Sequence, residues 1–429
     1  MSILYKNINY LDLENEKIIE GADIFIEGNL IKKIGNNLQI KASEVIDGNF
    51  LLMTPGFVNG HTHLGMSYFR NYADDLKLMD WLENEIWPIE NKLSADDIYW
   101  SSLLSICENI KSGVTNFCDM YYEMDRVCDA TIISGIRGTL TRGLTDNDGK
   151  GKEKLKSVRE LYNNYHNKAN GRIKVVPAPH AIYTCSENFL REISDLSKDL
   201  DGIINIHLSE TKGEVENSLK EHGMTPISYV NSLGLLDNHV IAAHCVHITD
   251  EEISLIKDKK FYPIYNPTSN LKLASGFTPV EKLLKNNIIM GIGTDGDSSN
   301  NSQNLLQDMH IGAIVNKARE MDEQAVKAIE ILKMATINGQ RALGISKAGL
   351  IKEDYLADLT IFNLKSSNFT PKNNLINALV YSATAEDVKD VLCDGKFVMR
   401  NRELVNLDEE RIKFEVNRHF EELVKRWEK

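Results

Sequence analysis

The sequence predicts an α/β protein: a (β/α)8 TIM-like barrel with a small β-sandwich domain built from the N- and C-terminal segments. Between residues 51 and 344, short apolar runs alternate eight times with helix-like stretches. Eight β-α alternations in that length favour a closed parallel barrel over an open doubly wound sheet. Residues with ligand chemistry fall at the ends of those runs, where a barrel gathers its functional groups. No G-x-G-x-x-G follows the first run, which argues against a dinucleotide-binding sheet.

Taken in order, residues 1–50 read as strands with hairpin-like turns at Glu27-Gly-Asn and Asp47-Gly-Asn, the N-terminal part of the sandwich. The barrel is expected over 51–345, with strands at 51–58, 114–118, 136–141, 173–178, 203–207, 240–244, 261–265 and 288–293. Helices are expected at 94–112, 152–167, 186–197 and 212–231. Ser94-Ala-Asp-Asp supplies an N-cap with early acids, and Gly113 a stop. Residues 346–429 return to strand texture through Asp358-Leu-Thr-Ile-Phe and Val391-Leu-Cys-Asp-Gly-Lys-Phe-Val, completing the sandwich. A terminal amphipathic helix over 408–428 carries a charged face that reads as solvated. Met309, Met321 and Met334, at helical spacing, read as core.

The 429 residues are 42% hydrophobic and 26% charged, ordinary for a globular protein. A formal net charge of −13 argues against a nucleic-acid or anionic-membrane partner. No apolar run is long enough to span a bilayer. The opening Met1-Ser-Ile-Leu-Tyr-Lys-Asn lacks a signal-peptide core. The six dispersed cysteines include no C-x-x-C pair and read as reduced thiols. A cytoplasmic location is expected.

A strand alternates its faces with period two, so His61 and His63 point the same way and can grip one ion. His207, at the end of the fifth run, and Asp295, after the eighth, would complete a set suited to zinc, with Fe2+ as the alternative. His180 follows the fourth run, His244 ends the sixth, and Glu210 lies three residues beyond His207. A second metal would need a bridging lysine carbamate at the end of the fourth run. That run ends Pro177-Ala-Pro-His180 and its lysine, Lys174, lies at the wrong end, so one divalent metal per chain is expected. His247 reads as structural, and His166, His222, His239, His310 and His419 as surface or packing residues.

These landmarks together resemble the amidohydrolase superfamily: Pro55-Gly-Phe-Val-Asn-Gly-His-Thr-His, Ile206-His-Leu-Ser-Glu-Thr, Ala243-His-Cys-Val-His, Asn266-Pro-Thr-Ser-Asn-Leu-Lys-Leu and Gly293-Thr-Asp-Gly. Trp87-Pro-Ile-Glu-Asn-Lys-Leu, Leu140-Thr-Arg-Gly-Leu and Pro179-His-Ala-Ile-Tyr make the chain similar to the 5-methylthioadenosine/S-adenosylhomocysteine deaminases within it. The similarity covers essentially the full length.

The resemblance implies zinc-dependent hydrolytic deamination of the adenine ring, with His61, His63, His207 and Asp295 as ligands. Zinc lowers the pKa of bound water from about 15.7 to about 7, which meets the need for a nucleophile at neutral pH. Glu210 is then the proton shuttle, Asp295 also hydrogen-bonds the attacking water, and His244 contacts it. By the same resemblance Glu90 binds the ribose hydroxyls and His180 the purine. Arg142 and Lys154 pair with a homocysteine carboxylate, with Lys150 and Lys152 as rivals to Lys154. Trp81, Leu82 and Met79 wall an apolar slot for the thioether. The expected partner is a small nucleoside, in a homo-oligomer where Arg142 reaches a neighbour's pocket. Two alternatives share the skeleton: an aminohydrolase or chlorohydrolase of another amino-heterocycle (guanine, s-triazine), and a non-catalytic scaffold.

Overall fold

A computed structural model describes residues 2–76 and 78–427, except the side chains of Leu78 and Met79. Two four-stranded parallel sheets hold its centre. The first comprises β1 (Phe57–Thr62), β2 (Val114–Tyr121), β3 (Arg137–Leu144) and β4 (Ile173–Pro179). The second comprises β5 (Ile203–Leu208), β6 (His239–His244), β7 (Phe261–Tyr265) and β8 (Gly291–Ile292). These strands are buried on both faces, which is why they read as near-continuous apolar runs. Backbone hydrogen bonds link the sheets at both seams: His207 N–H donates to the His180 carbonyl at 3.0 Å, and Asp295 N–H to the His61 carbonyl at 2.9 Å. At the second seam a Cβ on Gly293 would lie 2.6 Å from the His61 nitrogen, so only glycine permits the approach.

The apolar run expected as one barrel strand over 51–58 is two strands. Leu51–Pro55 pairs with Leu359–Asn363 and with Ser2–Asp12, outside the barrel sheets, and β1 begins only after Gly56. The reason is a double burial. Leu51 and Met53 face one core, Leu52 the other, so the strand looks as apolar as a barrel strand.

The flanking domain, drawn from both ends of the chain, joins nine strands in one continuous sheet. Its own cluster includes Ile3, Tyr5, Ile24, Ile26, Leu359 and Ile361. Glu27-Gly-Asn is a hairpin turn between Lys17–Glu27 and Leu30–Gly35. Asp47-Gly-Asn is not: Glu44–Asp47 and Leu51–Pro55 run one after the other, both parallel to Ser2–Asp12.

The helix Ala95–Lys111 carries a full capping box between Ser94 and Asp97. The helix expected over 212–231 is broken into Lys212–His222 and Pro226–Ser232, because Gly223 takes φ 67° and Pro226 can only start a helix. Glu409–Trp427 is solvated on one side only. Ile412, Val416, His419 and Leu423 are buried, and His419 meets Asp97 at 2.8 Å. Met309 and Met334 are buried, whereas Met321 is 89% exposed, since it sits in the left-handed turn that ends Leu305–Glu320. Among the described residues no helix is long and apolar enough to cross a membrane.

Arg137, at the start of β3, joins the first parallel sheet to the flanking sheet. Its guanidinium lies 2.6 Å from Asp358 and 2.8 Å from Asp394, all three side chains nearly buried. Arg137→Ala would leave two buried carboxylates without a countercharge. A loss of about 3–5 kcal/mol in unfolding free energy is expected, measured as a lower urea midpoint.

Candidate active site

Imidazoles from β1 and the ends of β5 and β6 meet the Asp295 carboxylate at the strand C-termini. The Nε2 atoms of His61 and His63 lie 3.5 and 3.2 Å from Asp295 Oδ1. His63 and His207 approach each other Nε2 to Nε2 at 3.3 Å. Their Nδ1 atoms face backbone carbonyls, of Met120 at 2.6 Å and His180 at 2.9 Å. Carbonyls only accept, so Nδ1 carries the proton and the two Nε2 lone pairs converge.

Two lone pairs at that distance repel unless a proton or a cation lies between them. His61 is fully buried, and neither of its ring nitrogens has a hydrogen-bond partner among the described residues. Such an orphan fits a metal ligand and is costly otherwise. Ligand atoms of His61, His63 and Asp295 lie within 4.8 Å of one another, as do those of His61, His207 and His244. The donor set, imidazole nitrogens with a carboxylate, suits a divalent ion such as zinc.

Protonation follows the crowding. Burial, with His63 beside it, lowers His61 to about 4, and burial and neighbouring imidazoles push His207 well below the usual histidine range. Burial also disfavours charge on His63, but Asp295 outweighs it and lifts His63 to about 9. Burial opposes ionisation of Asp295 too, yet His61 and His63 hold its carboxyl well below the usual range. Asp295 Oδ2 accepts from Ser269 Oγ at 2.6 Å and Ser299 Oγ at 2.9 Å, while Oδ1 accepts from the Gly296 N–H at 2.8 Å.

Glu210 and His244 stand beside this cluster. His244 Nε2 is 3.9 Å from Glu210 Oε2 and 4.0 Å from Asp295 Oδ2. Its Nδ1 lies 2.8 Å from Asn270 Oδ1, whose amide is oriented by an Nδ2 bond to Thr278. The shorter of the two Nδ1 contacts, to Asn270 at 2.8 Å against Asn266 Nδ2 at 3.3 Å, favours Nδ1 as donor, which leaves the Nε2 lone pair free. Ser209, His244 and Asp295 all adopt positive φ, of 52°, 73° and 66°. Such strain costs about 1–3 kcal/mol per residue and collects at functional sites.

A cavity of about 700 Å³, its open mouth included, rises from the cluster. Trp81, Leu82, Trp87 and Met66 give it an apolar side, while Glu90, His180 and Glu210 supply polar groups. Glu90 accepts from Tyr121 Oη at 2.7 Å, and burial raises its carboxyl to about 7. His180 Nδ1 lies 3.0 Å from Thr184 Oγ1, and burial together with His63 and His61 lowers it to about 4. The side chain of Met79 lies outside the described residues.

Two expected recognition residues are elsewhere. The Lys154 ammonium is held by the Thr145 carbonyl at 2.9 Å, Thr145 Oγ1 at 2.8 Å and Asp148 at 2.9 Å, which uses all three of its protons. It does not line the cavity, because local capping of its own loop claims it. Lys150 and Lys152 line a separate surface cleft. Arg142, near the end of β3, makes no ion pair among the described residues and is not on the cavity wall, whose described residues include no lysine or arginine. His247 Nε2 is taken by the Ser275 carbonyl at 2.8 Å.

Sequence reasoning missed Asp119 and Glu214. Asp119, on β2, accepts the Leu64 N–H at 2.6 Å, and burial lifts it to about 7; the strand-end rule that found His207 would have found it. Glu214 hydrogen-bonds the Ser209 and Glu210 N–H groups, although its spacing from Thr211 reads as an ordinary helix cap.

Comparison with known proteins agrees with this arrangement. Residues 52–398 match the amidohydrolase family. A 5-methylthioadenosine/S-adenosylhomocysteine deaminase of Thermoanaerobacter pseudethanolicus is 49% identical over 431 residues, covering 99% of this chain and 100% of the relative. A 5'-deoxyadenosine deaminase of Methanocaldococcus jannaschii is 44% identical over 395 residues, covering 91% and 94%. The crystal structure of a zinc-bound adenosine deaminase from Xanthomonas campestris superposes with a TM-score of 0.94 at 28% identity, covering 99% and 98%. By sequence and by fold, the chain belongs to the amidohydrolase family.

Proposed function

We propose that this chain is a hydrolytic deaminase that removes the 6-amino group of the adenine ring in S-adenosylhomocysteine, 5'-methylthioadenosine or both, releasing ammonia and the inosyl product. The observation that carries the reading is the meeting of Glu210, His244 and Asp295 over the imidazole cluster, at the base of a cavity with Glu90 and His180 in its wall. Similarity to deaminases of that name over 99% of the chain, at 48–49% identity, supports the substrate class. One divalent ion, zinc before Fe2+, held by His61, His63, His207 and Asp295, would supply the Lewis acidity that prepares water for attack.

The remaining chemistry belongs to the side chains. Glu210 accepts a proton from the attacking water and delivers it to the ring nitrogen beside the carbon under attack; it then takes the remaining proton of the added hydroxyl and passes it to the amine, which leaves as ammonia. The lone pair of His244 Nε2 accepts a hydrogen bond from the same water and orients it. Asp295, fixed by Ser269 and Ser299, stays ionised beside it. Glu90 receives the ribose hydroxyls and His180 the purine edge. The apolar wall of Trp81, Leu82 and Trp87 takes the thioether arm and excludes water.

Closure of β1–β8 into one barrel, and folding of the nine-stranded sheet over its own core as a sandwich, belong to the same proposal and are supported by the two seam hydrogen bonds and the separate cluster. So do homo-oligomeric assembly and a cytoplasmic location, the latter consistent with six free, buried cysteines.

The deciding experiment is ammonia release by zinc-loaded protein on both thioether nucleosides, adenosine, guanine and a chlorotriazine. The highest kcat/KM is expected on the thioether nucleosides; a lead for guanine or the triazine would replace the reading. Metal analysis is expected to find about one ion per chain, falling sharply in His63→Ala. Glu210→Gln should keep its metal and lose about 100- to 10,000-fold in kcat. Because the Lys154 ammonium is fully occupied, Lys154→Ala is expected to change KM equally for the two thioether nucleosides. A selective rise for S-adenosylhomocysteine would return Lys154 to the site.

A further inference from the structure

We propose that Glu214 is a positioning residue for the reaction, holding the loop that aims Glu210. This rests on the reading of Glu210 as the proton shuttle. β5 ends at Leu208, and within two residues the chain turns to present Glu210 to the cavity. The turn runs through Ser209 at φ 52°, a left-handed conformation that serine adopts at a cost.

Glu214 holds that turn from below. Its Oε1 accepts the Ser209 N–H at 2.9 Å and its Oε2 the Glu210 N–H at 2.7 Å. The Ser209 carbonyl is taken in turn by the His247 N–H at 2.9 Å, which ties the loop to the segment after β6. With both ends of the peptide secured, Glu210 reaches Ser275 Oγ at 3.2 Å and His244 at 3.9 Å.

Helix capping alone does not account for this geometry. In a capping box the acid at the third helical position returns to the N–H of the cap residue. Thr211 does cap, accepting the Glu214 N–H at 3.1 Å, but the acid reaches past it to the two preceding residues. Glu214 is buried and makes no ion pair among the described residues; burial raises its carboxyl to about 7, and the Glu210 and Ser209 N–H groups oppose that rise by stabilising the carboxylate. A carboxylate offers two acceptor oxygens and no donor, which is what two adjacent peptide N–H groups require.

The test is a double-mutant cycle on 5'-methylthioadenosine with zinc-loaded protein. Glu214→Gln keeps one acceptor and turns an amide NH2 against the other peptide N–H. A fall in kcat on the order of 100-fold is expected, with KM and zinc content close to wild type and Tm lower by a few degrees, since one buried N–H loses its acceptor. In a Glu210→Gln background the same change is expected to cost less than about twofold more, because no shuttle remains to be aimed. Unchanged kcat in the single variant overturns the proposal. An equal, additive loss in the double variant overturns it too, leaving Glu214 a purely structural residue. Should Glu214→Gln fail to fold, Glu214→Asp, charged but one methylene shorter, is judged by the same criteria. A zinc-loaded wild type inactive on every adenine nucleoside would overturn the functional reading and this proposal with it.

Discussion

Two hydrogen bonds on the far side of the site decide what the near side can do. His63 and His207 spend their Nδ1 protons on the carbonyls of Met120 and His180, both at strand ends. That choice points the two Nε2 atoms at each other 3.3 Å apart, an arrangement that needs a proton or a cation between them. His61 has no comparable anchor. It lies edge-on to His63 and His207 at centroid distances of 4.8 and 4.7 Å, with Nε2 3.5 Å from Asp295 Oδ1. Asp295 supplies the negative charge that makes the cluster of imidazoles tolerable, which is why its carboxyl stays ionised despite burial.

Geometry of this kind needs a rigid frame, and the strand ends show what it costs. Positive φ at Ser209, His244 and Asp295 turns the chain at or just beyond three strand ends, and His244 and Asp295 line the cavity there. Each bend is tied down locally: Ser209 by Glu214, His244 by Asn270 and Thr278, Asp295 by Ser269 and Ser299. These supporting groups are buried and satisfied, so the strain has nowhere to relax. The flanking sheet contributes from the opposite end of the barrel, where Arg137 locks β3 to Asp358 and Asp394, far from the cavity wall.

Much of the site was legible because its residues obey a simple positional rule. Ligand-type side chains at the C-terminal ends of alternating strands stand out in one dimension, and His61, His63, His207, His244, Glu210 and Asp295 do come together. What failed to show was competition for a side chain. Lys154 has the right charge and a place near the right loop, yet Thr145 and Asp148 take all three of its protons. The spacing of Glu214 from Thr211 announces a helix cap, while its carboxylate serves the residues before the cap. Leu51–Pro55 carries the apolar signature of a barrel strand because it is buried on both faces, but between two different cores.

Sequence alone determined the period of the strands, the positions of the ligands along them, and the chemistry those ligands share, since all three are properties of local spacing and residue type. Tertiary structure decided which carbonyl claimed which imidazole proton, which lysine was already occupied, and which sheet received an apolar strand. Those outcomes depend on groups distant in the chain competing for the same partner, and a linear pattern records no such competition.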